Sequence, residues 1–414
     1  MLNIQYIREN LEESKQGLVK KHADPALLDT LIQFDDRRKE LIQETESLRA
    51  AKNEWTNKIK SLQGDEKMEA VAKSKEIGAQ LKEIEPKLEQ LQEEMNIHHL
   101  SIPNPAHTSV PEGDDDEDNS VVTTWGDKPE FSFTPREHWE MAEMHGNIDF
   151  ERGAKVSGSR FCFLKGDIVQ LQFALVQYAL SVISTEGFEM MIPPMMVNKQ
   201  TVLGTGYLNS VGEDDEAYAV NPGKDDMYMV ATSEASIISY HRDEILEEEK
   251  FYVGYSSCFR REAGSGGKDI RGLIRQHQFD KVEMIAFTSP ETSYDHLERI
   301  RQIEEKLLQG LGIPYQLVNV CGGDLGGPPA KKYDIEAWLP GQNAYREVTS
   351  NSNITEYHSR RLNMRIRDEE GKPQYCHTLS ATGLPIGRTL VAIMENYQNE
   401  DGTFNIPEVL QTYM

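Results

Sequence analysis

The sequence predicts an α+β protein in two parts. A long antiparallel two-helix coiled coil comes first, and a larger domain built on an antiparallel sheet with flanking helices follows. Two heptad series within residues 27–99 define the first part. Alternating apolar stretches define the second; long insertions separate them and no regular βαβ rhythm appears. A chain of 414 residues has room for two or three domains.

In the first series Phe34, Leu41, Leu48, Trp55 and Leu62 recur every seven residues, with Leu31 and Ile59 on the neighbouring core position. The second series is Ile77, Leu81, Ile84, Leu88, Leu91 and Met95, in alternating steps of four and three. Gly64-Asp65 is a turn signal between them. The simplest object is a helical hairpin whose arms each reach about 50 Å at ~1.5 Å per residue. Pro86 is expected to interrupt and kink the return arm. Such hairpins serve as dimerisation coils or spacers. One detail points elsewhere: from Arg37 to Lys60 the outgoing arm carries seven basic residues against four acidic ones. The return arm is acidic, and charge on a helix face is commonly just solvation.

Composition sets further bounds. The net charge of −25 argues against broad nonspecific binding to nucleic acid or anionic membranes, though it leaves room for a local basic patch. No apolar run approaches the ~20 residues of a membrane span, and the first residues resemble neither a signal nor a transit peptide. The cysteines Cys162, Cys258, Cys321 and Cys376 are far apart, which argues against disulfides and a structural zinc and fits a reducing cytoplasm. The acidic stretch 111–120 reads as a solvated linker. The expected division is therefore residues 1–105, a linker 106–124 and a domain 125–414.

In that domain "IVQLQFALVQYALSVISTEG" reads as an amphipathic helix. "FEMMIPPMMV", "MYMVAT", "KFYVGYSSCFRRE", "IRQHQFDKVEMIAFT" and "YDIEAWLP" read as strands. The stretch 259–283, "FRREAGSGGKDIRGLIRQHQFDKVE", packs six arginines and lysines around a glycine-rich loop. Strand alternation puts Arg260 and Glu262 on one face, and Arg275, Phe279 and Glu283 in a row with steps of about 13 Å. A cation, an aromatic plate and an anion in line suit a ligand with a phosphate, a flat ring and an amine. An ordinary hairpin with solvated charges fits the same pattern about equally well. The glycine segment lacks the P-loop spacing and reads as a loop able to close over a ligand. "GTGYLNSVG" lacks the third glycine of a dinucleotide site.

This stretch resembles motif 2 of the class II aminoacyl-tRNA synthetases, specifically the bacterial seryl-tRNA synthetase family, and the resemblance extends over essentially the whole chain. The hairpin is similar to that family's tRNA-binding arm, making 1–105 the tRNA-binding domain and 125–414 the catalytic domain. "GFEMMIPPMMV" resembles motif 1, with Pro194 at its dimer-interface proline. "MVATSEAS" resembles the serine loop, "NAYREVTSNSN" the metal-binding segment and "GLPIGRTLVAIMENYQ" motif 3.

The resemblance implies the following roles. Arg260 meets the α-phosphate of ATP, Glu262 the adenine amine and Arg275 the terminal phosphates. Phe279 stacks under adenine opposite Arg388, with Arg260, Arg275 and Arg388 as the catalytic cations. Arg261, Val348 and Thr349 complete the ATP-binding set. Glu347 and Ser350 hold Mg²⁺ against the phosphates, and no zinc is expected. Thr232, Ser233, Glu234, Glu283 and Thr382 form the serine pocket, with Glu283 on the ammonium. Arg49, Lys52 and Lys58 contact tRNA. The implied enzyme is a cytoplasmic homodimer without a membrane partner, acting on ATP, L-serine and tRNA(Ser); use of selenocysteine tRNA is left open. Ser380-Ala381, where the family usually has Asn-Gly, and Asn351 and Arg261 depart from its pattern. Two alternatives are a ligase that loads a small amino acid onto a carrier protein and a non-enzymatic coiled-coil protein. The tRNA-length hairpin argues against the first, and Arg260, Glu262, Glu283, Glu347 and Arg388 argue against the second.

Overall fold

The computed structural model describes residues 1–208, 217–262 and 271–414. The chain forms two compact units: residues 2–16 with 24–103, and residue 1 with 17–23 and 104–414.

The first unit is the helical hairpin, α1 (Ala26–Ile59) and α2 (Gly64–Ser101). Its seam buries Leu41 against Ile77, Leu81 and Ile84, with Leu48, Trp55, Leu88 and Leu91 packed alongside. Both heptad series therefore face each other as expected. Leu62 is the exception: α1 stops at Ile59, and the turn to Gly64, at φ 58°, takes the last heptad position out of the helix. Pro86 does not interrupt α2, which runs unbroken through it. A proline inside a helix costs about 3 kcal/mol, and here Ile84, Leu88 and Leu91 hold both flanks against α1. At the base of the hairpin the buried Asp35 gathers Arg8 (2.9 Å), Arg38 (2.6 Å) and Lys39 (2.7 Å).

The second unit is organised on an eight-stranded sheet. Its elements in chain order are β1 (Ser120–Trp125), α3 (Asp167–Thr185), β2 (Glu189–Met191), β3 (Lys250–Phe259), β4 (Gln278–Thr288), α4 (Ser293–Gly310), β5 (Tyr315–Asn319), β6 (Lys331–Leu339), β7 (Ala344–Thr355), β8 (His377–Pro385) and α5 (Ile386–Asn396). The strand order is β1-β5-β6-β7-β8-β4-β3-β2, antiparallel throughout except where β2 joins β3. Strand alternation sorts the two faces. Val282, Met284 and Ala286 of β4 enter the large core with α3, α4 and α5, while Ile285 and Phe287 pack into a smaller core on the other face.

Three expectations need correction. The segment read as linker up to residue 124 is partly strand: the β-branched run Val121–Thr124 pairs with β5 at the sheet edge, and Ala106 and Val110 pack on Val318 and Val320. The stretch 188–197 is two short strands, Glu189–Met191 and Met196–Asn198, because Pro193 and Pro194 cannot donate to a ladder. Helix α3 is long and apolar enough by length and composition to cross a membrane, contrary to the reading of the apolar runs. Leu171, Leu175, Ala179 and Ile183 on α3 are buried in the sheet core.

Candidate active site

Two β-bulges build the site. Glu347 pairs with Glu336 and Thr349 with Ile335, so Val348 is an extra residue in β7. In a regular strand, residues three apart point to opposite faces; the extra residue puts Glu347 and Ser350 on the same one. Across the ladder Ser350 faces Asp334, so Glu347, Ser350, Asp334 and Glu336 share that face. In β8 the extra residue is Gly383. Glu283 pairs with Thr382 while Val282 pairs with Leu384, so Thr382 and Ser380 stay on the Glu283 side and Leu384 turns to the large core with Val282. A side chain at position 383 would meet Ile183 Cδ1 at 2.7 Å.

A cavity of about 200 Å³ opens on this face, lined among others by Arg260, Glu262, Arg275, Phe279, Glu347 and Arg388. The guanidinium of Arg260 lies 5.3 Å from the Phe279 ring centroid, and its Nε donates to the Ala231 carbonyl at 3.2 Å. Arg388 donates from Nη1 to the Glu347 carbonyl (2.9 Å) and from Nε to the Ile274 carbonyl (3.2 Å), and it pairs with the Glu347 carboxylate at 3.3 Å. Burial opposes the charge on Glu347, but Arg388, Lys332 and Arg260 outweigh it and hold the carboxyl below its usual range. Behind it, burial pushes Asp334 well above the carboxylate range; Lys332 opposes this and Glu347 reinforces it. A larger cavity of about 510 Å³, lined by Met141, Lys165 and Phe404, shares none of these side chains.

The straight row expected of Arg275, Phe279 and Glu283 holds for the last two only, because Arg275 lies before the strand. Strand β3 ends at Phe259, and Glu262 turns into the left-handed region at φ 53°. Strand β4 begins only at Gln278, so Arg275 reaches the cavity from the preceding bend and pairs with Glu262 at 2.5 Å. Arg261 is exposed and Thr349 buried, and neither lines the cavity, whereas Val348 does. The glycine segment 263–269, read as a loop able to close over a ligand, lies outside the described residues.

Deeper in, Glu283 is 2% exposed. Thr232 Oγ1 donates to its Oε2 at 3.1 Å and Ser380 Oγ to its Oε1 at 3.2 Å, while the buried Lys281 ammonium pairs with the same carboxylate. Glu234 accepts from the Tyr207 hydroxyl at 2.8 Å; burial, then the neighbouring Glu283, raises its carboxyl above the ordinary value. His358 donates from Nε2 to the Thr205 carbonyl at 3.1 Å, and burial beside Arg361 brings its imidazole down to about 3. Ser233 is fully buried with its hydroxyl unpartnered among the described residues. Tyr207 and Lys281, which contact Glu234 and Glu283, were given no role by the sequence. Tyr207 stood in a glycine segment set aside for failing the dinucleotide pattern, and its contact with Glu234 is tertiary.

Pro194 is exposed, and its carbonyl accepts from Ser236 Oγ at 2.6 Å. Around it Ile192, Met195 and Met196 stand out from the surface, Ile192 at 87% exposure. On the arm, Arg49 pairs with Glu85 (2.8 Å) and Lys58 with Glu54 (2.6 Å), the latter also 4.7 Å from the Trp55 ring centroid. Lys52 lies beside Gly78.

An antiparallel sheet with arginines converging beside an aromatic plate, Arg260 and Arg275 from the ends of β3 and β4 and Arg388 from helix α5, defines a class II aminoacyl-tRNA synthetase core. Residues 218–397 match the profile of the class II synthetase core domain for Gly, His, Pro, Ser and Thr, and residues 1–106 match the seryl-tRNA synthetase N-terminal domain. The chain belongs to the seryl-tRNA synthetase family. It is 46% identical to a serine–tRNA ligase of a Geobacillus species and 42% identical to that of Fervidobacterium nodosum, covering 100% of this chain and 98% of each relative. The crystal structure of seryl-tRNA synthetase from Pyrococcus horikoshii complexed with ATP superposes with a TM-score of 0.94 at 39% identity, covering 100% of this chain and 98% of that one.

Proposed function

We infer that this chain is an ATP-dependent serine–tRNA ligase, which joins L-serine to ATP as seryl-adenylate and then esterifies it to the 3′-terminal ribose of tRNA(Ser). The observation that carries this reading is full-length membership of the family combined with Arg260, Arg275 and Arg388 converging on one cavity beside Phe279. Nothing in the comparisons supports a carrier-protein ligase.

In this reading a serine carboxylate oxygen attacks the α-phosphorus in line. A new P–O bond forms, the bond to the bridging oxygen of the leaving group breaks, and pyrophosphate departs. No protein nucleophile is needed: positioning and fixed cations lower the barrier. Arg260 meets the α-phosphate, Arg275 and Arg388 take the remaining phosphates and the adenine face, and Phe279 stacks under the base with Glu262 on its amine. Glu283, held by Thr232 and Ser380, takes the serine ammonium. Glu234 reads the hydroxyl, rejecting alanine because its own polar groups would lose a partner, and Thr382 closes the pocket against threonine. Glu347 and Ser350 offer a carboxylate and a hydroxyl on one face, an oxygen set suited to Mg²⁺ shared with phosphates. When bound, that ion supplies charge neutralisation at the phosphates.

The assignments of Val348 and Thr349 to the nucleotide, of Ser233 to serine, and of Arg49, Lys52 and Lys58 to tRNA rest on the resemblance. So do a functional division at 105 and 125, a homodimer through the apolar surface around Pro194, and a cytoplasmic setting. Serine-dependent ATP–pyrophosphate exchange tests the first half-reaction. Exchange with serine and none with alanine is the expected result; exchange indifferent to the amino acid would overturn the reading.

A further inference from the structure

A contact that none of these roles includes ties the site to helix α5. His138 opens the short helix His138–His145 and is completely buried, as is Glu395 near the end of α5. Glu395 Oε1 accepts from the His138 backbone N–H (3.1 Å) and from its Nδ1 (2.9 Å), and Oε2 accepts from the Gly341 N–H (2.9 Å). With its Nδ1 proton committed to the carboxylate, the imidazole keeps Nε2 as an acceptor. The Leu273 N–H donates to that nitrogen at 3.1 Å. The next residue is gripped as well, since the Ile274 carbonyl accepts from Arg388 on the same helix at 3.2 Å. Arg388 and Glu395 are seven residues apart, two helical turns, and so lie along one side of α5. The approach at Leu273 is close: Gly272 sits at φ 88°, and a Cβ there would fall 1.9 Å from His138 Nε2. Arg271 stacks over Trp139 with its guanidinium 5.0 Å from the ring centroid.

We propose that His138, oriented by Glu395, is a positioning residue for ATP: it fixes the segment 271–275 against α5 so that Arg275 and Arg388 present their guanidinium groups in register. The buried carboxylate sets the tautomer, the imidazole holds one backbone N–H, and Arg388 holds the adjoining carbonyl. Two grips on consecutive residues, one from Arg388 on α5 and one from His138 held by α5, fix both the height and the rotation of the bend that delivers Arg275. The proposal rests on the reading of this cavity as the ATP site.

The test is serine-dependent pyrophosphate exchange on the full chain, with KM for ATP and for serine measured separately and thermal unfolding followed alongside. His138→Phe keeps a ring but removes both nitrogens. It should raise KM for ATP by about tenfold or more, the scale of one lost buried hydrogen bond, while KM for serine stays put. His138→Gln restores an acceptor for the Leu273 N–H and should recover most of the loss. Gly272→Ala presses a Cβ against His138 Nε2 from the other side while leaving both members of the buried pair chemically unchanged, and should repeat the ATP defect; it decides the matter if His138→Phe does not fold. Folded variants with an unchanged KM for ATP, or with KM for ATP and KM for serine rising together, would overturn the proposal. Absence of exchange in the unmodified enzyme would instead overturn the ATP reading itself.

Discussion

Arg275 donates from Nη1 to Glu262 Oε2 at 2.5 Å, and Glu262 holds a left-handed backbone, φ 53°, to receive it. Strain of this kind costs of order 1–3 kcal/mol in a non-glycine residue and persists where its surroundings enforce it. Here the pair joins the end of β3 to the bend before β4 across the mouth of the cavity. Glu262→Gln keeps the shape and removes the charge. It should raise KM for ATP by about 10- to 100-fold, in line with charged hydrogen bonds, and leave KM for serine within a factor of about three. Pyrophosphate exchange at varied ATP measures it; an unchanged KM for ATP would detach Glu262 from the nucleotide.

Glu283 sits deeper, with donors on both carboxylate oxygens and Lys281 beside them. Truncating one side of a buried charged contact costs roughly 2–5 kcal/mol. Glu283→Gln should therefore raise KM for serine by about 30-fold or more, with KM for ATP little changed. Equal effects on both substrates would mean that the carboxylate supports the sheet and does not bind the ammonium.

Tyr207 orients Glu234 through a 2.8 Å hydrogen bond. Tyr207→Phe preserves the packing and leaves one oxygen of a buried carboxylate without that donor. KM for serine should rise about 5- to 30-fold, and discrimination against alanine should weaken, as read from the ratio of kcat/KM values. An unaltered ratio would remove Glu234 from hydroxyl recognition.

The hairpin carries its own pH dependence. Burial opposes ionisation of Asp35, but the hydrogen bonds from Lys39, Arg38 and Arg8 prevail and bring its carboxyl down to about 2. An unfolded aspartate titrates near about 3.9. The native state thus binds this proton less readily than the unfolded one, and the stabilisation is complete above pH about 4 and lost as pH falls through about 2. Helix unfolding followed by circular dichroism should show a steeper loss across that window for the unmodified chain than for Asp35→Asn. Parallel curves would mean that the three cations do not stabilise the ionised form.

What the sequence made legible follows from period. The heptads of Leu41, Leu48 and Trp55 and the alternation that puts Phe279 and Glu283 on one face depend on local geometry that repeats, and both hold in the structure. Features that break a period were not legible. The bulges at Val348 and Gly383 are single extra residues, visible only once the partner strand is known. The bend that carries Arg275 precedes a strand whose start no composition marks. Tyr207 and His138 reach the site from segments distant in sequence, and their contacts with Glu234 and Leu273 are tertiary. Pro86 is the converse case, a local signal for interruption at a point where the helix continues, packed on both flanks.

The central claim is that the sheet domain activates serine while the hairpin delivers it to tRNA, and deleting residues 33–96 across a short turn tests it most directly. Arg49, Lys52 and Lys58 lie within the deleted part, and phosphate contacts by such residues give affinity that falls steeply with salt. The deleted enzyme should retain serine-dependent pyrophosphate exchange within a factor of about three, whereas charging of tRNA(Ser) should drop by about 100-fold or more, as expected when several phosphate contacts are lost together. Exchange abolished along with charging would make the hairpin a structural support. Charging left intact would contradict the assignment of tRNA recognition to the arm.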